Sequence, residues 1–169
     1  AHPLHLDQRR DRPGWRRGAP RRRAARQDAD DTSLPNRFEK QLPWLEKEEY
    51  DVCCCRSISV QERRPIPRRF WLFLPRQLLL RYMNPHIHGS FIIRKSTLQA
   101  MGGYDESFVY AQDYKLLFDL YSRKIPIKYL LEPLYRTGYS PMSIKAIHGK
   151  EQKCYARQVQ QLFRQLKRS

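Results

Sequence analysis

The sequence predicts an α/β layered domain preceded by a disordered N-terminal arm, and three observations carry that expectation. Segments of strand character alternate along the chain with segments whose apolar residues recur at helical spacing. The 169 residues are 40% hydrophobic and 12% aromatic, too much for a disordered basic tail. Residues 1–27, by contrast, show apolar periodicity of neither kind and are punctuated by Pro3, Pro13 and Pro20.

The elements follow in order from residue 28. Thr32 or Ser33 is suited to cap a helix that carries Pro35 in its first turn, where the missing amide is harmless. Leu34, Phe38, Leu42 and Leu45 form its apolar stripe, and Pro43 should kink or shorten it. Residues 50–58 have strand character, and residues 61–69, rich in Arg and Pro, that of an exposed loop. A short helix is expected over 75–82, a turn at Asn84-Pro85, a strand over 90–93 and a short helix over 96–101. Gly102-Gly103 is a natural stop for that helix. Tyr114, Leu117, Phe118 and Tyr121 define one face of a helix starting near Ala111. Two short strands, 127–131 and 134–137, and a terminal helix over about 149–166 complete the series, with no internal repeat.

The length fits one ordinary domain, whose core needs neither metal nor disulfide, and leaves no room for a second catalytic domain. The net charge of +16 alone would nominate a nucleic-acid or anionic-surface binder. It is unevenly spread. Residues 1–27 hold nine Arg against Asp7 and Asp11, for +7, and the remaining +9 lies in residues 28–169 with all ten Lys. Three readings fit this leader: a disordered arm, a basic arm that touches phosphates, or out-of-frame sequence, since Arg, Ala, Pro and Gly without Lys is what GC-rich DNA encodes in the wrong frame. The longest apolar run, residues 70–80, is interrupted by Pro75, Arg76 and Gln77, and the N-terminus lacks an apolar signal core. A cytoplasmic protein is expected, at most peripheral at the inner face of a membrane. Cys53, Cys54 and Cys55 are consecutive and Cys154 stands alone, so a reduced, partly buried strand is expected rather than a zinc site or a disulfide scaffold.

Three groups of residues could carry chemistry. Asp28-Ala29-Asp30-Asp31 places three carboxylates in four residues, which repel one another and invite a hard divalent cation, although an acidic turn ahead of a helix has the same composition. Asp113 lies in the first turn of an amphipathic helix, where the dipole favours a carboxylate. It is suited to be a general base, although a residue so placed is more often a cap. In His86-Ile87-His88-Gly89-Ser90 the alternating histidines suggest a metal site without a third ligand nearby, a polar edge lining a sugar pocket, or structural histidines. His148 is isolated.

Their order is more telling than any one of them. Asp28-Ala29-Asp30-Asp31, Leu34-Pro35-Asn36-Arg37-Phe38, His88-Gly89-Ser90 before a strand, Gly102-Gly103-Tyr104-Asp105-Glu106, Ala111-Gln112-Asp113-Tyr114 and Glu132-Pro133-Leu134-Tyr135-Arg136 together resemble family 2 glycosyltransferases of the GT-A fold, from Gln27 to about Phe163. The resemblance implies a partial GT-A, nucleotide-diphospho-sugar transferase-like layered domain with a mixed sheet. It implies that Asp30 of the DxD motif ligates Mg²⁺ or Mn²⁺ on the donor diphosphate, with Asp28 beside it on the nucleotide sugar or the metal. Asp113 would be the catalytic base of an inverting single displacement. His88, Gly89 and Ser90 would lie near the donor sugar, with Gly103 and Asp105 of the neighbouring loop and Gln112 also on the substrate. The partners implied are a nucleotide-diphospho-sugar donor and a saccharide or lipid-linked acceptor, as in polysaccharide biosynthesis, with no specific nucleic acid.

The family's nucleotide-binding half, which precedes its DxD motif, has no counterpart here, so a truncated form, 28–169, is expected. Its sheet would lack its first strands and expose an edge, which predicts self-association. The family's further metal-ligating His after the Tyr-Arg strand is also lacking, the chain having Tyr135-Arg136-Thr137-Gly138-Tyr139. The competing expectation is a basic nucleic-acid-binding module that uses the Arg-rich leader and the loop from Arg63 to Arg69 on phosphates.

Overall fold

A computed structural model describes residues 22–166 apart from 48, 139 and 142. The expectation of a disordered arm therefore lies, for residues 1–21, outside the described residues. Its last part is ordered as a strand: β1 (Arg23–Ala25) pairs antiparallel with β5 (Ile92–Arg94), so the folded region starts before residue 28.

Among the described residues, six strands form one mixed sheet in the order β1-β5-β3-β6-β2, with β4 (Arg64–Ile66) paired to β3 off this path. β3 (Val52–Ser59) is central. It runs parallel to β6 (Ile127–Thr137) and antiparallel to β4 and β5, while β2 (Thr32–Ser33) pairs antiparallel with the far end of β6. β1 and β2 end the path, and the sheet is mixed as expected, every pairing being antiparallel except the long one of β3 with β6.

Consecutive cysteines suit β3 because both faces of this strand are covered. A strand buried on both sides carries small apolar residues in a continuous run rather than an alternation. Val52 and Cys54 face one core with Leu117 and Leu120 of α4 (Gln112–Ser122) and Val159 and Phe163 of α6 (Gly149–Gln165). Cys53 faces the other core with Leu45 of α1 (Arg37–Glu46) and Ile92, while Cys55 packs with Leu134 and Tyr135. The result is an α/β layered arrangement with helices on both faces of the sheet, as the alternation of segments predicts.

Several boundaries differ from expectation for identifiable reasons. Thr32 and Ser33 do not cap α1; they are β2, and α1 begins at Arg37 behind Asn36. Its buried stripe is Arg37, Gln41 and Leu45, whereas Phe38 is exposed, because the polar groups of Arg37 and Gln41 satisfy backbone carbonyls inside the protein. Pro43 sits inside the helix without ending it. The loop 61–69 contains β4, which turns back on β3. The two expected strands after residue 126 are one, β6, which passes Pro133 through an irregularity in its register with β3 near Arg56. The helix expected over 75–82 is shorter as α2 (Arg76–Leu79), and the strand expected at Ser90 begins at Ile92, after a 3-10 turn over His88–Ser90. α3 (Lys95–Ala100) stops at Gly102 and Gly103, whose φ angles of 86° and 82° suit glycine and whose N–H groups donate to Gln99 and Leu98. A short helix, α5 (Ile144–Ile147), precedes α6.

Candidate active site

The turn from Asp28 to Asp31 leaves β1 and returns as β2, so both of its ends are tied to the sheet. Inside it the Asp31 N–H donates to the Asp28 carbonyl at 3.1 Å. The three carboxylates meet different surroundings. Arg26 Nε donates to Asp28 Oδ1 at 3.1 Å, the Gly138 N–H donates to Asp31 Oδ1 at 2.8 Å, and Asp30 is exposed. Burial raises the Asp31 carboxyl above its ordinary value, and the Gly138 N–H and the Tyr135 hydroxyl lower it in part.

Tyr135 lies under this turn. It is fully buried at the end of β6, and its Oη accepts the Asp28 N–H at 3.3 Å. Its hydroxyl also fills the space beside Gly89: a Cβ at Gly89 would lie 2.2 Å from Oη, so only glycine lets the 3-10 turn approach this closely. Arg37 completes the arrangement. Its guanidinium lies 4.7 Å from the Tyr135 ring centroid and donates to the carbonyls of Arg26 at 3.2 Å and Gly89 at 2.8 Å. Gln41, one turn further on, donates to the carbonyls of Cys53 and Ser90 at 3.1 and 3.0 Å. Helix α1 thus pins the His88–Ser90 turn to the Asp28 turn from below.

His88 is the side chain that faces the acidic groups. Its Nε2 is 2.9 Å from the Tyr104 hydroxyl. Burial lowers the imidazole below its ordinary value, Asp113 and Asp28 act to raise it, and Arg26 reinforces the lowering. The Tyr104 hydroxyl is raised by burial and feels the same Arg26, Asp113 and Asp28. Asp113, in the first turn of α4, accepts a hydrogen bond at Oδ2 from Asn84 Nδ2 at 2.8 Å. Ala111, immediately before α4, has φ of 59°, a left-handed conformation costly for a residue other than glycine and of the kind that clusters at functional sites. Arg26, Asp28, His88, Tyr104 and Asp113, contributed by four separate segments, therefore share one electrostatic environment.

The other expected site residues have different surroundings. Ser90 is fully buried, and its hydroxyl is spent on the Cys55 N–H and on the carbonyls of Ile87 and Cys55. Gly89 is buried against Tyr135. Asp105 is held by the Ser107 N–H at 3.0 Å and by Lys115 Nζ at 3.2 Å, which ties the Gly103–Asp105 loop to α4 and holds its carboxyl below the ordinary value, chiefly through Ser107. Gln112 is exposed at the start of α4. His86 does not share a site with His88: it is buried with Nδ1 3.3 Å from Cys54 Sγ and Nε2 3.3 Å from the Tyr121 hydroxyl.

Arg37, Tyr135, Arg26 and Asn84 have roles that the sequence reasoning did not assign. A polar stripe at Arg37 and Gln41, four residues apart in an otherwise amphipathic helix, is the one signal that could have marked the brace. Among the described residues no group of three or more His, Cys, Asp or Glu is arranged to hold a metal ion. Asp30, exposed and two residues after Asp28, fits the other arrangement, in which one or two carboxylates share a hard divalent ion with substrate phosphates. No helix of the described residues is long and apolar enough to cross a membrane. Compared with known protein families the chain matches none, and no curated protein matches it.

Proposed function

We propose that this chain acts as a family 2 type glycosyltransferase, transferring a sugar from a nucleotide-diphospho-sugar to an acceptor hydroxyl with inversion in a single displacement. The observation that carries the reading is the shared environment of Asp28, His88 and Asp113: both carboxylates act on the His88 imidazole although they lie 85 residues apart in sequence. His88 thus feels the charge of both carboxylate motifs. A second support is β1, a strand immediately ahead of the Asp28 turn, where the family has the last strand before its DxD motif.

On this reading the residues divide the work. Asp113, positioned by Asn84, accepts the proton of the acceptor hydroxyl as its oxygen attacks the anomeric carbon. Asp30, with Asp28, would hold Mg²⁺ or Mn²⁺, which supplies charge to offset the leaving diphosphate. His88 and Tyr104, hydrogen-bonded to each other at 2.9 Å, are the polar groups that the sugar would meet beside Asp113.

Calorimetry with a panel of nucleoside diphosphates, with and without Mn²⁺, tests the donor side, and release of nucleoside diphosphate from nucleotide-sugars tests transfer. Mn²⁺-dependent binding should weaken in Asp30→Asn and survive in Asp113→Asn, while transfer falls by roughly a factor of a hundred or more in Asp113→Asn. Absence of Mn²⁺-dependent binding, or equal loss of binding and transfer in Asp113→Asn, would overturn the reading.

A further inference from the structure

On a different part of the chain, residues 63–82 carry six arginines and no acidic residue, together with Phe70, Trp71, Phe73 and Tyr82. Leu79 and Leu80 are buried in the core, but other apolar groups of the segment stand outside it. Phe70 is 67% and Phe73 80% exposed, and Leu78 and Tyr82 are exposed as well. Among the described residues Arg63, Arg68, Arg69 and Arg81 have no acidic partner, although Arg64 pairs with Glu62. The segment is nevertheless anchored: Arg56 donates to the Pro67 carbonyl at 3.0 Å, and Gln160 of α6 donates to the Tyr82 carbonyl at 2.7 Å.

A groove of about 420 Å³ continues this surface, lined by the apolar side chains of Leu78, Tyr121, Phe163 and Leu166 and by Arg81 and Lys124. Cations beside exposed aromatic and aliphatic groups, without acids among them, match the headgroup and acyl boundary of an anionic bilayer. There the charges meet lipid phosphates and the phenylalanines enter the acyl region. A nucleic-acid strand would neutralise the arginines but leave the exposed Leu78 and Leu166 against water.

We propose that residues 63–82 and the adjoining groove form a docking surface for an anionic lipid bilayer. Docking here is interfacial and requires no membrane-crossing helix. The proposal is independent of the transfer reading, since none of these residues belongs to the cluster around His88. Were both correct, the surface would hold the protein where a lipid-linked acceptor is found.

Co-sedimentation of the full chain with vesicles tests it. Binding is expected to vesicles of phosphatidylcholine mixed with phosphatidylglycerol and to be much weaker with phosphatidylcholine alone. The double variant Arg68→Gln/Arg69→Gln should lose roughly thirtyfold in affinity, each arginine near an anionic surface contributing about fivefold. Phe70→Ser/Phe73→Ser should lose roughly tenfold or more. All four side chains are exposed, and circular dichroism checks that the variants fold; Phe73→Ser alone, at the most exposed position, supplies the same readout if the double variant does not. Equal binding to both vesicle types, or wild-type binding by either pair of variants, would overturn the proposal. So would binding of polyuridylate that depends on Arg68 and Arg69 but not on Phe70 and Phe73, in a protein that leaves vesicles unbound.

Discussion

The guanidinium of Arg37 lies 4.7 Å from the centroid of the Tyr135 ring, with both residues fully buried and separated by 98 positions in sequence. Their contact joins α1 to the end of β6 beneath the Asp28 turn. A buried cation is tolerated only where its donors are satisfied, and Arg37 meets Gln41 Oε1 at 3.0 Å, Ser33 Oγ at 2.8 Å and the carbonyls of Arg26 and Gly89.

Replacing Arg37 by Met should therefore cost about 3 kcal/mol of stability, because it strands buried carbonyls as well as removing the ring contact. Arg37→Lys is not a conservative change here. One ammonium cannot span the same fan of acceptors, so about 2 kcal/mol of loss is expected. Urea unfolding of the three proteins measures both values, and an unchanged midpoint in Arg37→Lys would show that the fan is unimportant.

Gly138 provides a second, independent handle on the Asp28 turn. A Cβ there would lie 1.9 Å from the Asp30 carbonyl oxygen, a backbone atom that cannot swing away like a side-chain tip. Gly138→Ala should displace the Asp30 backbone and cost about 1 to 3 kcal/mol. Mn²⁺-dependent nucleoside diphosphate binding should weaken with it. Gly149, where a Cβ meets open space at the start of α6, is the control: Gly149→Ala should leave binding unchanged and stability equal or up to about 1 kcal/mol higher. Equal behaviour of the two variants in both measurements would remove the steric argument.

Why the sequence revealed some of this and not the rest is visible in individual residues. The face of α4 formed by Tyr114, Leu117 and Phe118 is local periodicity, and the structure packs it against Phe163 of α6. Gly102-Gly103 marks a helix end by backbone geometry alone. The short strands β1, β2 and β4 carry no such mark: two or three residues contain no period, and only their partners on β5, β6 and β3 make them strands. Arg37 and Gln41 carry no such mark either, because an amphipathic pattern assigns charged and amide groups to solvent, whereas here they satisfy carbonyls 11 to 52 residues away. The acidic turn, His88 and Asp113 were all legible as residues; that they share an environment depends on the sheet order.

The cysteines give a prediction that is independent of function. Burial pushes the Cys53 thiol up to about 12 and raises Cys54 and Cys55 as well, so none of the three offers a thiolate at neutral pH. Cys154 is exposed on α6. The native chain should react with a thiol reagent at one cysteine, the unfolded chain at four, and Cys154→Ser should abolish the rapid native reaction. Rapid native modification at Cys53, Cys54 or Cys55 would show that β3 is not covered on both faces.

Cys54 also touches the group that sets the expected acid sensitivity. Burial pushes the His86 imidazole down to about 3, against about 6.5 for the free side chain. Cys54, Tyr121 and Tyr129 face it, with thiol and hydroxyls all raised by burial, and Arg76 acts in the same direction as burial. Between pH 6.5 and about 3 the unfolded chain therefore binds a proton at His86 that the folded chain refuses. Stability from this group is intact above the unfolded value and falls as pH drops through the window, by up to about 1.4 kcal/mol per pH unit for one proton. His88, also lowered, adds a slope of the same sign. His86→Gln keeps polar atoms beside Cys54 and Tyr121 but cannot titrate, so its unfolding free energy should depend less steeply on pH than that of the wild type. Urea unfolding of both proteins from about pH 7 to about pH 4 measures the difference, in which carboxylate contributions common to the two cancel. Parallel curves would mean that His86 takes up its proton without leaving the core.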